Sequence, residues 1–150
     1  MKIVLYNPQI PQNAGNIART CSVTGAGLMM VRPLGFSLSQ RQLKRAGLDY
    51  WDDVNVAVID DLEAYLEGYE GNFYFFSSKA SQKYTEVKYS SNDLLIFGSE
   101  TEGLPDSFFQ RWEDRFVTIP MSSHARCLNL SNAAAVAVYE VLRQQDFAGL

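Results

Sequence analysis

The chain has 150 residues, of which 47% are hydrophobic and 20% charged, and its formal net charge at pH 7 is −4. This length and balance predict one folded domain over residues 1–150 and exclude an intrinsically disordered chain. The first apolar run, KIVLY, is too short for a signal peptide, and no run approaches a membrane span, so we expect a cytoplasmic protein without membrane contact.

Short apolar runs alternate with segments of helical periodicity along the whole chain. The runs predict strands at residues 2–6, 28–31, 54–59, 73–76, 94–97 and 116–119. Capping residues or prolines predict that helices begin near Asn13, after Ser39, at Asp60 or Asp61, at Pro105 and at Ser131. Strands that alternate with helices indicate an α/β fold, so we predict a mostly parallel sheet of about six strands with flanking helices.

The histidine and cysteine content indicates no metal site. There is one histidine, His124, and the two cysteines, Cys21 and Cys127, are far apart in the sequence. No Cys-x-x-Cys pair occurs, so zinc-ligand spacing is absent from the sequence and we expect no metal. In a cytosolic chain both cysteines are expected to be free thiols, and we expect His124 to be an exposed loop residue rather than a catalyst.

The charge is distributed unevenly along the chain. Residues 1–50 carry six basic and one acidic residue, whereas residues 51–100 carry three basic and ten acidic ones. A predicted basic helix, QRQLKRAG, contributes Arg41, Lys44 and Arg45 to the first segment. The net negative charge argues against nucleic-acid binding, but a basic end on an acidic body is compatible with a local RNA-binding surface.

Three of the predicted strands are followed by small or polar loops. The sequences are FYFF-SSK, LLIF-GSETEG and FVTIP-MSSHARCLNLS. Ligands of open α/β sheets lie beyond the carboxyl ends of the strands, so these loops are expected to form one site, although each could be a plain surface turn. No G-x-G-x-x-G follows the first strand and no G-x-x-x-x-G-K-[ST] occurs, which disfavours a standard dinucleotide site or a P-loop.

The last predicted helix, Ser131 to Gln144, is apolar or small on nearly its whole circumference. A surface helix of a small domain normally has one apolar stripe and one polar face. This helix must therefore be covered on more than one side. We predict that a second copy of the chain supplies the additional cover, giving a homodimer.

Three ordered segments carry a resemblance to a known family: NPQIPQNAGNIARTC, LLIFGSETEGLP and IPMSSHARCLNLSNAAAVAVYE. Together they resemble the motifs of the SPOUT superfamily of RNA methyltransferases, in particular the small TrmL-like (YibK-like) subfamily, over essentially the whole chain. The resemblance implies a deep C-terminal trefoil knot and a homodimer whose sites use both subunits. It also implies S-adenosylmethionine-dependent 2′-O-methylation of the wobble ribose of tRNA, leucine tRNAs in the subfamily.

The resemblance also assigns residues to the cofactor. In the family, the loops that match these three segments hold S-adenosylmethionine largely through backbone groups. By position, the contacts in this chain are Phe76, Gly98, Ile119, Met121, Cys127 and Leu128. Relatives usually carry Ser where this chain has Cys127, so a contact through the hydroxyl would be lost here and a backbone contact would be kept.

Arg19 is the catalytic residue that the resemblance implies. An arbitrary exposed arginine on a helix usually pairs with a carboxylate, but the matching residue in relatives reaches the ribose 2′-hydroxyl. Because the pKa of arginine exceeds about 12, we expect Arg19 to hold a phosphate and stabilise the developing alkoxide rather than to act as a base. The predicted substrate-binding residues are Asn13, Arg126 and Tyr139.

Several assignments stay open in the sequence. Tyr139 could pack in the core instead of touching substrate, and Glu100 and Glu102 are more typical of a solvated loop than of an acid–base pair. The substrate could be another RNA such as rRNA. The fold could also serve a non-catalytic RNA- or nucleotide-binding module, but the joint presence of Asn13, Arg19 and Gly98 with the NLSNA segment favours an enzyme.

Overall fold

A parallel sheet forms the centre of the computed structural model, which describes residues 1–39, 54–124 and 127–150. Its strands are β1 (Lys2–Tyr6), β2 (Gly27–Val31), β3 (Val56–Ile59), β4 (Phe73–Phe76), β5 (Leu94–Phe97) and β6 (Phe116–Val117). They lie in the order β3-β2-β1-β5-β4-β6, and every neighbouring pair is parallel. The predicted α/β class and sheet of about six strands are confirmed.

Within the described residues, four α-helices cover the two faces of the sheet. They are α1 (Pro11–Thr24), α2 (Leu62–Glu67), α3 (Asp106–Arg111) and α4 (Leu130–Gln144). Helices α1 and α4 pack on one face and against each other, whereas α2 and α3 pack on the opposite face. Single 3-10 turns lie at Tyr84–Glu86 and Glu113–Arg115. The result is a three-layer arrangement with an apolar core on each side of the sheet.

The central strands are apolar because both of their faces are buried. All four residues of β5, Leu94–Phe97, are buried, and so are the three middle residues of β1. A strand with helices on both faces needs a continuous apolar run rather than an alternating one. Burial of each Leu, Ile, Val or Phe side chain contributes about 1.5–3 kcal/mol to folding, so these two strands anchor the sheet.

The starts of α1 and α4 differ from the prediction. Helix α1 begins at Pro11 with Ile10 in the N-cap position, not near Asn13, because a proline at the first helical position is preorganised for a helix. Helix α4 is capped by Asn129 rather than Ser131, since the Asn129 Oδ1 accepts from the backbone N–H groups of Ser131 and Asn132. Helix α1 ends at Gly25, whose φ of 69° suits a residue without a side chain.

Other element boundaries also shift. Strand β3 begins at Val56 instead of residue 54, and α2, which starts after Asp61 as predicted, ends at Glu67. Strand β6 contains only Phe116–Val117, because the next pairing is an isolated bridge between Thr118 and Lys83. The predicted basic helix after Ser39 lies outside the described residues. The trefoil knot stays a prediction, since residues 125 and 126 of the knot region are also outside them.

The last helix is less uniformly covered than its composition predicts. Ala134, Ala137 and Val138 are buried against the sheet, whereas Val136 is 37% exposed and Tyr139 is 47% exposed. Tyr139 therefore does not pack in the core of its own subunit. Within the described ranges, no helix is long and apolar enough to cross a membrane, and no group of potential ligands could hold a metal ion.

The two cysteines are free and lie in different environments. Cys21 is buried in α1, where burial raises the pKa of its thiol to about 12, and Cys127 is exposed. The expectation of free thiols is confirmed. Because a thiol with so high a pKa is protonated at neutral pH, Cys21 serves packing rather than chemistry.

Candidate active site

A cavity of about 350 Å³ opens beyond the carboxyl ends of β4, β5 and the β6 segment. Its wall is formed by the loops that follow these strands, by the residues around the start of α1 and by the first turn of α4. Ligands of open α/β sheets bind at this edge, and the volume lies at the lower end of the range of about 300–1,000 Å³ for small-molecule sites. The three predicted loops do converge.

All six predicted cofactor residues line this cavity. They are Phe76, Gly98, Ile119, Met121, Cys127 and Leu128. Phe76 and Phe97 end neighbouring strands, and their rings stack with centroids 4.8 Å apart and planes 20° from parallel. The structure thus brings together residues from three separate segments, while their contact with a cofactor stays a prediction.

Hydroxyl groups give the apolar wall its polar positions. Ser77, Ser99 and Thr118 line the cavity. The Ser77 Oγ accepts from the Lys79 N–H at 3.2 Å, and the Ser99 Oγ accepts from the Glu102 N–H at 3.1 Å. A hydroxyl that accepts from the backbone keeps a proton to donate. The wall can therefore donate hydrogen bonds to a ligand while its loops stay fixed.

Gly98 is required by the loop itself rather than by a ligand. A Cβ at residue 98 would lie 2.2 Å from the Gly103 carbonyl carbon and 2.5 Å from the Leu104 nitrogen. The loop closes on itself there, since the N–H groups of Ser99 and Gly103 each donate to the carbonyl of the other. Gly98→Val would therefore not be a clean test of cofactor binding, because the new side chain would first collide with backbone.

The Glu100 carboxylate accepts three hydrogen bonds at the start of α1. Its Oε2 accepts from the Gln9 N–H at 2.8 Å, and its Oε1 accepts from the Ile10 N–H at 3.1 Å and from the Asn13 Nδ2 at 3.0 Å. Burial alone would raise the pKa of Glu100, but the bonds from Asn13, Gln9 and Ile10 together outweigh it and lower the pKa. The carboxylate is therefore ionised at neutral pH.

Asn13 extends these contacts to the third segment. It is 5% exposed, and its Oδ1 accepts from the Asn129 Nδ2 at 3.0 Å. Asn129 in turn caps α4. Glu100, Asn13 and Asn129, which we call the polar relay, thus join the loop after β5, the start of α1 and the start of α4. The Asn13 side chain is committed to these bonds, so it positions backbone, and direct substrate contact stays a prediction.

Of the remaining predicted residues, those that the structure describes lie apart from the cavity. Arg19 is exposed on α1, one and a half turns beyond Asn13, and is not among the described residues that line the cavity of its own subunit. Tyr139 is exposed on α4, and His124 is an exposed loop residue as expected. Arg126 lies outside the described residues. Within the described residues, one copy of the chain therefore does not bring Arg19 to the cavity wall.

Comparison with known proteins identifies the family. A model of the SpoU rRNA Methylase family matches residues 1–139. The chain belongs to this family. A tRNA (cytidine(34)-2′-O)-methyltransferase of Methylovorus glucosotrophus is 46% identical over 149 residues, which cover 98% of this chain and 97% of that protein.

Solved structures agree with the SpoU assignment. One of them is described as "Structural insights into the 2-OH methylation of C/U34 on tRNA". It is 42% identical to this chain with a TM-score of 0.89, and the alignment covers 97% of this chain and 96% of that one. The SpoU methyltransferase AviRb from Streptomyces viridochromogenes, in complex with AdoMet, has a TM-score of 0.83. The alignment covers 100% of this chain and 59% of AviRb. Because the identity is 22%, this likeness shows the shared fold alone.

Sequence reasoning missed two residues of this SpoU-family site. The sequence predicts a solvated loop charge at Glu100, and it does not predict Asn129 as the N-cap of α4. Asn is among the strongest N-cap residues, so its place two residues before Ser131 was a usable signal. No local pattern could have paired Glu100 with Asn13, because the two residues are 87 positions apart in the sequence.

Proposed function

We propose that this protein is an S-adenosylmethionine-dependent methyltransferase that modifies the 2′-hydroxyl of the wobble nucleotide, position 34, of tRNA. The observation that carries the proposal is the cavity at the carboxyl ends of the strands, where all six predicted cofactor residues meet. The full-length relatives support the substrate, since they are named for this reaction on tRNA. Leucine tRNAs are the substrates that the subfamily resemblance favours.

The residues of the cavity fit S-adenosylmethionine. Phe76, Ile119 and Leu128 offer apolar surface, and the loop hydroxyls and backbone offer hydrogen bonds to a nucleoside and an amino acid. The cofactor supplies an electrophilic methyl group on a sulfonium, so the transfer needs no metal. The protein's part is to align the ribose oxygen with this methyl group, to exclude water and to stabilise developing negative charge.

Arg19 is the residue proposed to act on the ribose. In the transfer, the 2′-oxygen forms a bond to the methyl carbon, the carbon–sulfur bond breaks and the hydroxyl proton leaves to solvent. A guanidinium is a poor base but a good partner for a phosphate and for an oxygen that gains charge. We therefore assign Arg19 an electrostatic role, delivered to the cavity of a partner subunit.

Transfer of labelled methyl groups from S-adenosylmethionine to bulk tRNA tests the activity. Incorporation would distinguish an enzyme from a non-catalytic binding module on the same fold. Incorporation into rRNA but not tRNA would contradict the assigned substrate while keeping the assigned chemistry. Proteins that modify tRNA in this way work in the cytoplasm, which is the location we propose.

Filling the cavity at Cys127 should abolish cofactor binding. Cys127 is exposed and lines the cavity, so Cys127→Trp places an indole in the space of the ligand without disturbing the core. Calorimetry is expected to show no S-adenosylmethionine binding to a variant that melts like the wild type. Cys127→Ser is the matched control and should bind, because relatives usually carry Ser there. Unchanged affinity in the Trp variant would place the cofactor elsewhere.

We propose that the functional unit is a homodimer formed through α1 and α4. These helices pack side by side, and their outer faces carry apolar residues: Val23 is 57% exposed, and Val136 and Tyr139 are also exposed. Arg19 and Val23 are four residues apart, which puts them on one face of α1. An interface on this surface would carry Arg19 toward the partner, and an obligate dimer typically buries upwards of about 2,000 Å².

The dimer is testable with one charged substitution. Val136→Glu should leave the subunit folded, since the side chain points outward, and should shift sedimentation from dimer to monomer because a charge in an apolar interface is costly. Methyl transfer should be lost with the dimer. Ala64→Glu, exposed on α2 at the opposite face of the sheet, is the matched control and should remain dimeric. A stable, active Val136→Glu monomer would contradict the interface.

A further inference from the structure

The start of α1 lacks a cap of its own. Ile10 occupies the N-cap position, and its side chain accepts no hydrogen bond. Pro11 follows and has no N–H, so the unpaired donors around this end include the N–H of Ile10 at the N-cap and that of Gln9 just before the helix. Negative charge is favourable here because the N-terminus of a helix is the positive end of its dipole.

Glu100 supplies this missing cap from a distant loop. It accepts from both of these N–H groups and from the Asn13 side chain in the first turn of α1, at distances of 2.8–3.1 Å. Glu100 is 87–91 positions away in the sequence and belongs to the loop that closes the cavity after β5. The position of α1 is therefore fixed partly by the cavity loop rather than by local sequence.

The same side chains line the cavity. Ile10, Asn13, Glu100 and Asn129 all contribute to its wall. A ligand that fills the cavity must contact this wall, and it thereby restrains the polar relay between Asn129, Asn13 and Glu100. Arg19 lies on α1, further along the helix that the relay holds. A continuous set of hydrogen bonds thus connects the wall of the cavity to the start of α1.

We propose that Glu100 is a positioning residue that caps α1 from the cavity loop and couples occupation of the cavity to the placement of α1. The inference rests on the proposed function, because it takes S-adenosylmethionine as the ligand and Arg19 as the catalytic group on α1. It predicts that cofactor binding orders the start of α1 before RNA is engaged. Glu100 itself does not touch the reacting atoms.

Glu100→Gln is the variant that tests the coupling. The amide keeps the shape of the side chain but replaces one acceptor oxygen by a donor, which faces N–H groups and cannot bond to them. The variant is expected to fold, because the loop before α1 has other anchors. The Asn7 Nδ2 donates to the Arg32 carbonyl at 2.7 Å, and the Gly35 N–H donates to the Pro8 carbonyl at 2.9 Å.

The first measurement is hydrogen exchange with S-adenosylhomocysteine as the probe. In the wild type, this ligand should slow amide exchange in residues 9–14. In Glu100→Gln the ligand should still bind, and the added protection of residues 9–14 should be lost. Glu102→Gln, an exposed glutamate two residues further along the same loop, is the matched control and should behave like the wild type. Full ligand protection in Glu100→Gln would overturn the coupling.

The second measurement is a double-mutant cycle on methyl transfer. Glu100→Gln should lower kcat by up to about 10²-fold, the cost typical of a misplacement near 1 Å, with little change in cofactor affinity. If Glu100 acts through Arg19, the same substitution should cost much less in an Arg19→Ala background. Equal losses in both backgrounds would show a merely structural role and overturn the proposal.

The outcomes separate this inference from the proposed function. If the wild type does not bind S-adenosylhomocysteine, the proposed function itself fails, and the coupling fails with it. If the wild type binds the ligand and methylates tRNA, but the ligand protects residues 9–14 of Glu100→Gln as strongly as in the wild type, only the coupling is wrong. Should Glu100→Gln not fold, Asn13→Ala removes one of the three bonds of Glu100 and leaves both backbone bonds in place, so a partial loss of the added protection is expected. Wild-type protection in Asn13→Ala would then overturn the coupling.

Discussion

Arg19→Ala is expected to lower turnover by about 10²- to 10³-fold, the usual cost of removing a preorganised electrostatic stabiliser. The physical reason is that the ribose oxygen gains negative charge as its hydroxyl proton leaves, and a guanidinium placed beside it would stabilise that charge. Affinity for S-adenosylmethionine should be nearly unchanged, because the proposed role of Arg19 is on the ribose and its phosphate rather than on the cofactor. Single-turnover methyl transfer and calorimetry measure the two quantities separately.

The control for Arg19 is Gln12→Ala, which truncates another exposed side chain of α1 and should keep turnover. Arg19→Lys adds a second comparison. It keeps the positive charge but loses the planar fork that holds a phosphate through two parallel bonds, so its turnover should fall between those of Arg19→Ala and the wild type. Turnover at the wild-type level in Arg19→Ala would remove Arg19 from the mechanism.

Val138→Glu is expected to unfold the protein rather than merely to separate subunits. Val138 is 0% exposed in the core between α4 and the sheet, so the new carboxylate would be buried without a partner. An unpaired buried charge costs several kcal/mol, which is comparable with the total stability of about 5–15 kcal/mol of a typical domain. Circular dichroism and thermal melting should show a variant that is unfolded or melts far below the wild type.

Comparison of Val138→Glu with Val136→Glu distinguishes loss of the fold from loss of the proposed dimer. The two valines lie two residues apart on α4, one in the core and the other 37% exposed. The same charge should therefore unfold one variant and leave the other folded but monomeric. A Val138→Glu protein with wild-type melting would contradict the packing of α4 on the sheet.

The sequence predicts the sheet well because its strands are buried on both faces. A continuous apolar run such as Leu94–Phe97 is typical of a strand that is buried on both faces. Because the strands are parallel, the loops that follow them lie at one edge of the sheet. Helix ends were predicted less well. Pro11 moves the start of α1 ahead of Asn13, and the true cap of α1 comes from Glu100 rather than from a neighbour in sequence.

The site, like the fold, is predictable from the sequence only in part. The positions of the six cofactor residues follow from the resemblance, and the structure brings them together in one cavity. The reason for Gly98 was not predictable, because it depends on how closely Gly103 and Leu104 approach in three dimensions. The long-range bonds of Asn13 to Glu100 and Asn129 are equally invisible to local patterns.

Mapping the methylated nucleotide tests the central claim most directly. Purified protein and labelled S-adenosylmethionine would be incubated with unmodified tRNA, and the product digested and analysed for 2′-O-methylated nucleosides and their position. We predict one 2′-O-methyl group at nucleotide 34, formed far more slowly when Arg19→Ala replaces the wild type. Methylation of a base, or of a ribose elsewhere in the tRNA, would contradict it, as would a protein that binds tRNA and transfers no methyl group.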